Sequence, residues 1–151
     1  MLMNSYKKQI FINAPIEKVF DFHMDTNNLL RITPRDINFK IISMNDISGV
    51  GYKVVLEIRK FYFIRSILEV EITDCIKNEL MHDIQRKGIF KYWFQKRFFK
   101  VENEGTILTD IVEYIPPFGK LGEFLNWLII NRIIKKMFHF RQLKTKEILE
   151  N

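Results

Sequence analysis

The feature that most constrains this chain is a change of hydrophobic periodicity between its middle and its C-terminal part. From Ile37 to about Pro116, apolar and polar residues alternate through six segments separated by short turns. Alternation with a period of two is typical of antiparallel strands that bury one face and expose the other. Pro116, Pro117 and Gly119 end this pattern, and helical spacing follows to about Leu149. The sequence therefore predicts a six-stranded region followed by one long helix.

The residues before Ile37 predict one further strand and two short helices. The segment YKKQIFINAP alternates as a strand, and Pro15 follows in the first turn of a helix that Asn13 can cap. A second short helix begins at Asp25 or Thr26 and ends before Pro34. The expected fold is α+β: a curved antiparallel sheet of about seven strands, with two short helices and the long C-terminal helix over its concave face.

Composition narrows the range of possible functions. A chain of 151 residues favours one domain over residues 1–151, and its 14 Phe residues indicate an aromatic-rich interior. The net charge of +6 is spread along the chain without a Lys/Arg run, so nucleic acid is not indicated as a partner. Cys75 is the single cysteine, and the N-terminal residues do not resemble a signal peptide. We expect a cytoplasmic protein without a disulfide bond.

The order of elements from about Tyr6 to Leu149 resembles the SRPBCC superfamily. Its helix-grip fold is shared by START lipid-binding domains, the birch pollen allergen group and polyketide cyclases. Three stretches are similar to a bacterial subgroup of ligand-binding SRPBCC proteins, namely FHMDTNNLLRITP, MHDIQRKGIFKYWFQKRFF and GTILTDIVEYIPPFGKLG. The resemblance implies a cavity between the sheet and the C-terminal helix that binds a hydrophobic or amphiphilic small molecule, such as a lipid, a polyketide-like compound or an aromatic compound.

The second and third of these stretches carry most of the resemblance. In the second, the subgroup's motif is matched by Asp83, Gln85, Gly88, Phe90, Trp93 and Phe99. Met81 stands where the subgroup has Phe, Ile89 where it has Pro, and Gln95 and Arg97 where it has two histidines. The third stretch matches at Gly105, Thr106, Leu108, Thr109, Asp110, Tyr114, Pro117, Gly119, Leu121 and Gly122.

Strand parity selects the candidate ligand-binding residues. Alternate residues of two neighbouring strands share the face expected to be concave, and two residues of the long helix are expected to lie opposite them. The candidates are Met81, Asp83, Gln85, Trp93, Gln95, Arg97, Phe99, Ile133 and Met137. The fold is shared by binders, carriers and cyclases, so it does not by itself decide the activity.

Asp83 and Arg97 are the charged members of this set, and two interpretations of them stay open. They form either a structural ion pair between adjacent strands or a polar anchor in which Arg97 holds the carboxylate or carbonyl of a ligand. Asp110 is expected to accept hydrogen bonds from the backbone or from Arg97. If the protein is an enzyme of the polyketide cyclase or dehydratase kind, Asp83 or Asp110 would be the acid/base and Arg97 would stabilise an enolate.

The sequence indicates no metal, cofactor or nucleophilic site. The three histidines are scattered: we expect His23 in the core, His82 facing solvent and His139 on a wet face. No G-x-S-x-G motif occurs, and no histidine lies near Cys75 in the sequence. The aromatic and basic segment KYWFQKRFFK could stack nucleic acid bases, but a helix over the concave face would deny a strand of RNA access to it.

The apolar stripe of the long helix changes sides near residues 127–130. Leu121, Phe124, Leu125 and Leu128 share one face, whereas Ile130, Ile133, Ile134, Met137 and Phe138 lie roughly opposite. The second group should contact the sheet. The first could be covered by the short helices and loops, by a second subunit in a homodimer, or by a membrane surface, as in a docking lipid or quinone carrier. The longest apolar run here, WLII, is far too short to span a bilayer.

Overall fold

The computed structural model describes residues 2–60 and 64–151. Its strands are β1 (Asn4–Ile12), β2 (Ile37–Met44), β3 (Lys53–Lys60), β4 (Ile64–Ile76), β5 (Leu80–Lys87), β6 (Tyr92–Glu102) and β7 (Gly105–Ile115). Its helices are α1 (Ile16–Met24), α2 (Asn27–Arg31), α3 (Gly119–Leu125) and α4 (Asn131–Glu150), and a π-helical turn at Asn126–Ile130 joins α3 to α4. The predicted α+β fold and element order are confirmed, although residues 61–63 of one predicted strand, including Tyr62, lie outside the described residues.

All neighbouring strands of the sheet are antiparallel, in the order β1-β7-β6-β5-β4-β3-β2. The register shifts between Ile41 and Ser43 of β2, and twice more along the pairing of β4 with β5. Such bulges bend a strand and increase its twist, which gives the sheet its curvature. Tight turns connect the long hairpins, and Asn78 and Asn103 adopt the left-handed conformation there, which asparagine tolerates well.

Two apolar clusters fill the concave side of the sheet. The first lies where α1 packs on β6 and β7, and it contains an edge-to-face pair of Phe20 and Phe99 with ring centres 5.1 Å apart. The second lies under the C-terminal helix, where Phe138 and Ile134 pack on Val112 and Tyr114 of β7. Between these clusters and the strands β2 to β5, the side chains leave an unfilled volume.

The π-helical turn explains the change of sides along the C-terminal helix. Its hydrogen bonds span five residues instead of four, so it holds more residues per turn and resets the phase of the helix. The inward-facing positions are Gly122 in α3, Asn126 at the start of the turn, and then Ile134 and Phe138 in α4. A side chain at Gly122 would collide with the carbonyl oxygen of Pro117, so only glycine allows this close approach. The close approach at Gly122 and the hydrogen bond from the Tyr114 hydroxyl to Asn126 Oδ1, instead of an apolar stripe, therefore hold this part of the helix in place.

Three alternatives were considered for the apolar face of the first half of the C-terminal helix. The first of them, that the short helices and loops cover this face, is wrong. Leu121 is 61% exposed, Phe124 55% and Trp127 73%, because Gly122 and Asn126 occupy the inward face. We call the following exposed side chains the apolar patch: Phe118, Leu121, Phe124, Trp127, Leu128 and Ile129. Leu125 is half-buried beside them. No helix of the described residues is long and apolar enough to cross a membrane.

His82 also departs from the prediction that it faces solvent. It lies on the convex face of the sheet, as strand parity requires, but its side chain is only 13% exposed. The rings of Phe94 and Phe98 cover it, with centres 5.9 and 5.2 Å from the imidazole. These two residues are the diagonal cross-strand neighbours of His82, a position from which large aromatic side chains reach across a strand.

Candidate functional site

A cavity of about 250 Å³, partly open to solvent, lies between the concave face of the sheet, α1, α2 and α4. This volume is slightly below the roughly 300–1,000 Å³ that is usual for small-molecule pockets. Strands β3 and β4 form most of its surface, because alternate residues of both point inward. We call Val54, Leu56, Leu68, Val70 and Ile72 the apolar wall. Leu68, Val70 and Ile72 alternate along β4 and therefore share the inward face of the strand.

Charged and amide side chains lie at the other side of the cavity, which we call its polar end. They come from strands β5 and β6 and from helices α1 and α4. The members that line the cavity are His23, Asp83, Gln85, Gln95, Arg97 and Arg141. Two arginines and an aspartate are rarely found beside one apolar cavity in a small domain. The reason is that each buried charge costs free energy unless it is paired.

Asp110 of β7 lies directly behind the polar end and is fully satisfied by hydrogen bonds. Its Oδ1 accepts from Arg97 Nε at 2.7 Å and from Gln95 Nε2 at 3.2 Å, and its Oδ2 accepts from Gln142 Nε2 at 2.9 Å. Burial alone would raise the pKa of this carboxyl, but the Arg97 guanidinium and the Gln142 amide outweigh burial and hold the pKa below its usual value. Asp110 is therefore a carboxylate at neutral pH.

Asp83 of β5 has a very different environment. Its carboxyl faces the cavity, and among the described residues no hydrogen bond supports its charge. Burial raises its pKa to about 6, even though Arg97 and Arg141 act in the opposite direction. The predicted ion pair of Asp83 with Arg97 is not formed. Arg97 lies opposite Asp110 in the register of β6 with β7, whereas the residue opposite Asp83 is Gln95, so Arg97 pairs with Asp110 instead.

Arg141 of α4 is a cavity residue that sequence reasoning missed. It is 9% exposed, lines the cavity and packs over the ring of Phe138, with its guanidinium carbon 6.0 Å from the ring centre. Its buried Nε has no hydrogen-bond partner among the described residues. Burial lowers its pKa to about 10, so it remains a cation at neutral pH. Its spacing of seven from Ile134 is the signal that could have found it, because residues seven apart share a helix face.

His23 of α1 also borders the cavity. Its Nδ1 donates a hydrogen bond to the carbonyl oxygen of Val19 at 2.8 Å, since a carbonyl can only accept. Burial lowers its pKa to about 3, and the nearby Arg97 acts in the same direction. The imidazole is therefore neutral at physiological pH and leaves its Nε2 as an acceptor. The expectation of a hydrogen-bonded histidine on the inner face of α1 agrees with this geometry.

The structure brings most of the predicted site residues together. Those that line the cavity are Met81, Asp83, Gln85, Trp93, Gln95, Arg97 and Met137. Phe99 and Ile133 do not line it. Phe99 is 5% exposed and fills the core against Phe20, and Ile133 is 37% exposed on the outer side of α4. The π-helical turn rotates α4 so that Ile134, not Ile133, contacts the sheet.

Few groups with the chemistry of metal ligands meet in this molecule. Across residues 2–60 and 64–151, no three side chains of His, Cys, Asp or Glu come together as a metal site would need. Cys75 packs against Met24 with its Sγ 3.9 Å from the methionine sulfur, and burial raises the pKa of its thiol. The thiol is therefore not activated as a nucleophile.

Comparison of the structure with solved structures identifies the fold. Protein CV1439 from Chromobacterium violaceum is similar, with a TM-score of 0.78 and 14% identity over 98% of this chain and 99% of that one. A second similar structure is that of Ara h 8.0201, with a TM-score of 0.69 and 13% identity over 99% of this chain and 100% of that one. The chain has the helix-grip fold.

A third similar structure is the di-domain ARO/CYC protein StfQ of the steffimycin biosynthetic pathway. Its TM-score is 0.79 at 9% identity, over 99% of this chain and 51% of StfQ, so this chain spans about half of that protein. No protein-family model matches the sequence, and no curated protein matches it either. At these identities the likeness shows the fold alone, which confirms the resemblance drawn from the sequence at the level of architecture.

Proposed function

We propose that the protein binds a hydrophobic or amphiphilic small molecule in the cavity between its sheet and its C-terminal helix. The observation that carries this proposal is the cavity itself, which has an apolar wall on β3 and β4 and a polar end of unlike chemistry. Burial of a ligand's apolar part against the wall contributes roughly 25 cal/mol for each Å² removed from water. Convergent polar groups then fix the orientation of the ligand, as is usual in small-molecule sites.

Native mass spectrometry of freshly purified protein tests this proposal. We expect a mass in excess of the bare chain, because a ligand held between sheet and helix can survive gentle transfer to the gas phase. The matched control is Leu68→Trp, which fills the cavity from the apolar wall and should give the bare mass. Binding of the neutral fluorophore N-phenyl-1-naphthylamine to the wild-type protein but not to the control gives a second readout. A bare wild-type mass together with no fluorophore binding would reject the proposal.

A second candidate function is acid/base catalysis by Asp83, with Arg97 stabilising an enolate. Asp83 is favoured over Asp110 because its pKa of about 6 is close to physiological pH, as an efficient proton-transfer group requires. Asp110 is 3% exposed, makes hydrogen bonds to three side chains and lies behind the cavity lining. The neighbouring solved structures include the ARO/CYC protein StfQ, and this candidate is compatible with that likeness.

Deuterium uptake by an aryl ketone, 1-tetralone, tests this second candidate. A general base in the cavity would remove the proton next to the carbonyl group and exchange it with solvent. We expect faster uptake with the wild-type protein than with Asp83→Asn, which keeps the shape of the side chain but cannot accept the proton. Equal rates for the two proteins, at ketone concentrations that saturate the cavity, would contradict acid/base catalysis.

We further propose that the apolar patch docks on an anionic membrane surface. Exposed basic residues flank it on the same helix, at Lys120, Arg132, Lys135 and Lys136. Between Phe124 and Lys146 the sequence contains no acidic residue. A helix with aromatic and aliphatic residues beside cations is suited to the boundary between lipid headgroups and acyl chains. The proposed location of the protein is the cytoplasm, as its single cysteine suggests.

Flotation with lipid vesicles distinguishes the possible occupants of the patch. We expect the protein to float with vesicles containing phosphatidylserine at low salt, and to remain at the bottom with purely zwitterionic vesicles. Trp127→Ser should abolish flotation, whereas Val101→Ser, at another exposed apolar position near the turn of β6 with β7, should not. Wild-type protein that stays unbound but sediments as a dimer, which Trp127→Ser dissociates, would assign the patch to a second copy of the chain.

A further inference from the structure

The polar end of the cavity contains one cation that has no hydrogen-bonded counterion among the described residues. Arg97 is paired with Asp110, and Arg141 is the second arginine at the same end. Arg141 is 9% exposed, and its buried Nε has no hydrogen-bond partner among the described residues. This Nε is a buried donor that has lost its water without gaining an acceptor among the described residues, which costs free energy. Some other component must supply the acceptors for this side chain when the site is occupied.

Resting on the proposed ligand-binding function, we propose that Arg141 receives an oxyanion head group of the ligand, such as a carboxylate, while the apolar part of the ligand lies against the apolar wall. A guanidinium group is suited to this role, since its planar set of donors can bind both oxygens of one oxyanion. Arg97 is less suited, since Asp110 already accepts a hydrogen bond from its Nε at 2.7 Å. The ligand is thus an amphiphile with one acidic end.

Asp83 couples this site to pH. The charged groups that face it are Arg97 from β6, Arg141 from α4 and Asp110 from β7, and His23 from α1 is neutral. Arg97 and Asp110 cancel, so the polar end carries no net charge when Asp83 is ionised and a single positive charge when Asp83 is protonated. The protonated carboxyl can also donate a hydrogen bond to the oxyanion. Affinity for an anion therefore rises as the pH falls through the pKa of Asp83, about 6.

Two matched fluorophores test the proposal. The anionic probe is 8-anilinonaphthalene-1-sulfonate, whose sulfonate remains ionised at every pH used, and N-phenyl-1-naphthylamine has the same ring system without it. With Arg141→Met we expect the dissociation constant of the sulfonate probe to rise about tenfold or more, the effect of one lost charge-assisted contact. The dissociation constant of the neutral probe should change less than about twofold, since its ring system contacts only the apolar wall.

Control variants separate this effect from trivial ones. Lys144→Met removes a cation from the outer side of the same helix and should leave both dissociation constants unchanged. Arg141→Lys retains the charge without the planar group and should give an intermediate affinity for the sulfonate probe. For Asp83→Asn, we expect tighter sulfonate binding near neutral pH and no further gain at about pH 5.5, whereas the wild-type protein gains several-fold over that interval.

The possible outcomes are distinct. A parallel loss of both probes in Arg141→Met, or an unchanged sulfonate affinity, overturns the head-group assignment while the proposed ligand binding stands. If neither probe binds the wild-type protein, or if Leu68→Trp binds both as well as the wild type does, ligand binding in the cavity fails and the head-group assignment fails with it. The melting temperature of Arg141→Met, which we expect to match or exceed that of the wild type, confirms that the variant is folded.

Discussion

Two aspartates lie on the strands at either side of β6, and their pKa values are shifted in opposite directions. Asp110 on β7 and Asp83 on β5 both neighbour β6, and both point toward the concave side of the sheet. Asp110 accepts hydrogen bonds from Arg97, Gln95 and Gln142, and its pKa is held below the usual value. Asp83 faces the cavity and accepts no such hydrogen bond from the described side chains, and burial raises its pKa to about 6.

The two arginines at the polar end differ in the same way as the two aspartates. Arg97 is paired with Asp110, whereas the Nε of Arg141 has no acceptor in the described part of the chain. Side chains that satisfy one another contribute to folding, and those left unsatisfied at a cavity are available to a ligand. We therefore interpret Arg97 with Asp110, which lies behind the polar end, as a structural half, and we propose that Asp83 with Arg141 is a functional half.

The largest expected effect is the loss of Asp110. Asp110→Leu would leave the guanidinium of Arg97 buried without its partner, and we expect the free energy of unfolding to fall by roughly 3–5 kcal/mol. Chemical denaturation monitored by circular dichroism measures this change. A loss below about 1 kcal/mol would show that the pair of Arg97 and Asp110 does not stabilise the fold, and the two aspartates would then not differ in role.

Removal of the charge of Asp83 should raise the free energy of unfolding, whereas loss of Asp110 should lower it. Its folded-state pKa is raised to about 6, above the value in the unfolded chain, so the native state binds more protons between these two values. The contribution of Asp83 to stability is therefore present at low pH and is lost as the pH rises through about 6. Asp83→Asn should increase the free energy of unfolding near neutral pH by as much as roughly 3 kcal/mol.

Denaturation of both proteins from about pH 4 to pH 7.5 measures this difference. His23, whose pKa is lowered to about 3, produces the opposite slope as its protonation is forced at acid pH. Because His23 is present in both proteins, its contribution cancels when one curve is subtracted from the other. A difference curve that does not change with pH would mean that Asp83 titrates alike in the folded and the unfolded chain.

A smaller effect is expected for an amide of the structural half. Gln142 donates to Asp110 and to the backbone carbonyl of Lys8, but its own Oε1 is buried and has no partner within residues 2–60 and 64–151. Gln142→Met loses these hydrogen bonds and relieves the unsatisfied oxygen, so we expect a net loss of about 1–2 kcal/mol from the free energy of unfolding. A loss as large as that of Asp110→Leu would mean that the Gln142 amide stabilises the fold as much as the ion pair of Arg97 and Asp110 does.

The smallest effect is expected for an ion pair on the other face of the same two strands. Lys96 and Glu113 lie 2.8 Å apart on β6 and β7, but both side chains are about a third exposed. Glu113→Gln should change the free energy of unfolding by less than about 1 kcal/mol, since solvent screens such pairs. This variant serves as the matched control for Asp110→Leu, and a similar loss in both would remove the distinction between buried and exposed pairs.

Strand periodicity was sufficient to predict the fold and the inward direction of Asp83, Gln95 and Arg97. It was not sufficient to predict which aspartate Arg97 contacts, because that depends on the register of β6 with its two neighbours. Register follows from the lengths of turns and from packing, and a shift of two residues preserves the face of every side chain. The pairing of Arg97 with Asp110 was therefore open at the level of sequence.

The C-terminal helix shows a second limit. The change of sides in its apolar pattern was visible in the sequence, but its cause, the π-helical turn at Asn126–Ile130, was not. Such a turn depends on tertiary contacts, here the hydrogen bond from Tyr114 to Asn126 and the close approach of Gly122 to Pro117. A regular α-helical spacing without this turn puts Ile133 on the inner face. The apolar pattern alone gives no indication that Arg141 lines the cavity.

The most direct test of the two halves is a titration of the carboxyl carbons of Asp83 and Asp110 by carbon-13 nuclear magnetic resonance in the ligand-free protein. Assignment follows from the loss of one signal in each of Asp83→Asn and Asp110→Asn. We predict that the signal of Asp83 titrates with a pKa of about 6, while Asp110 remains ionised well below its usual pKa. Two superimposable curves, or an Asp83 that titrates at or below the pKa of an ordinary aspartate, would contradict the division of the polar end into a structural and a functional half.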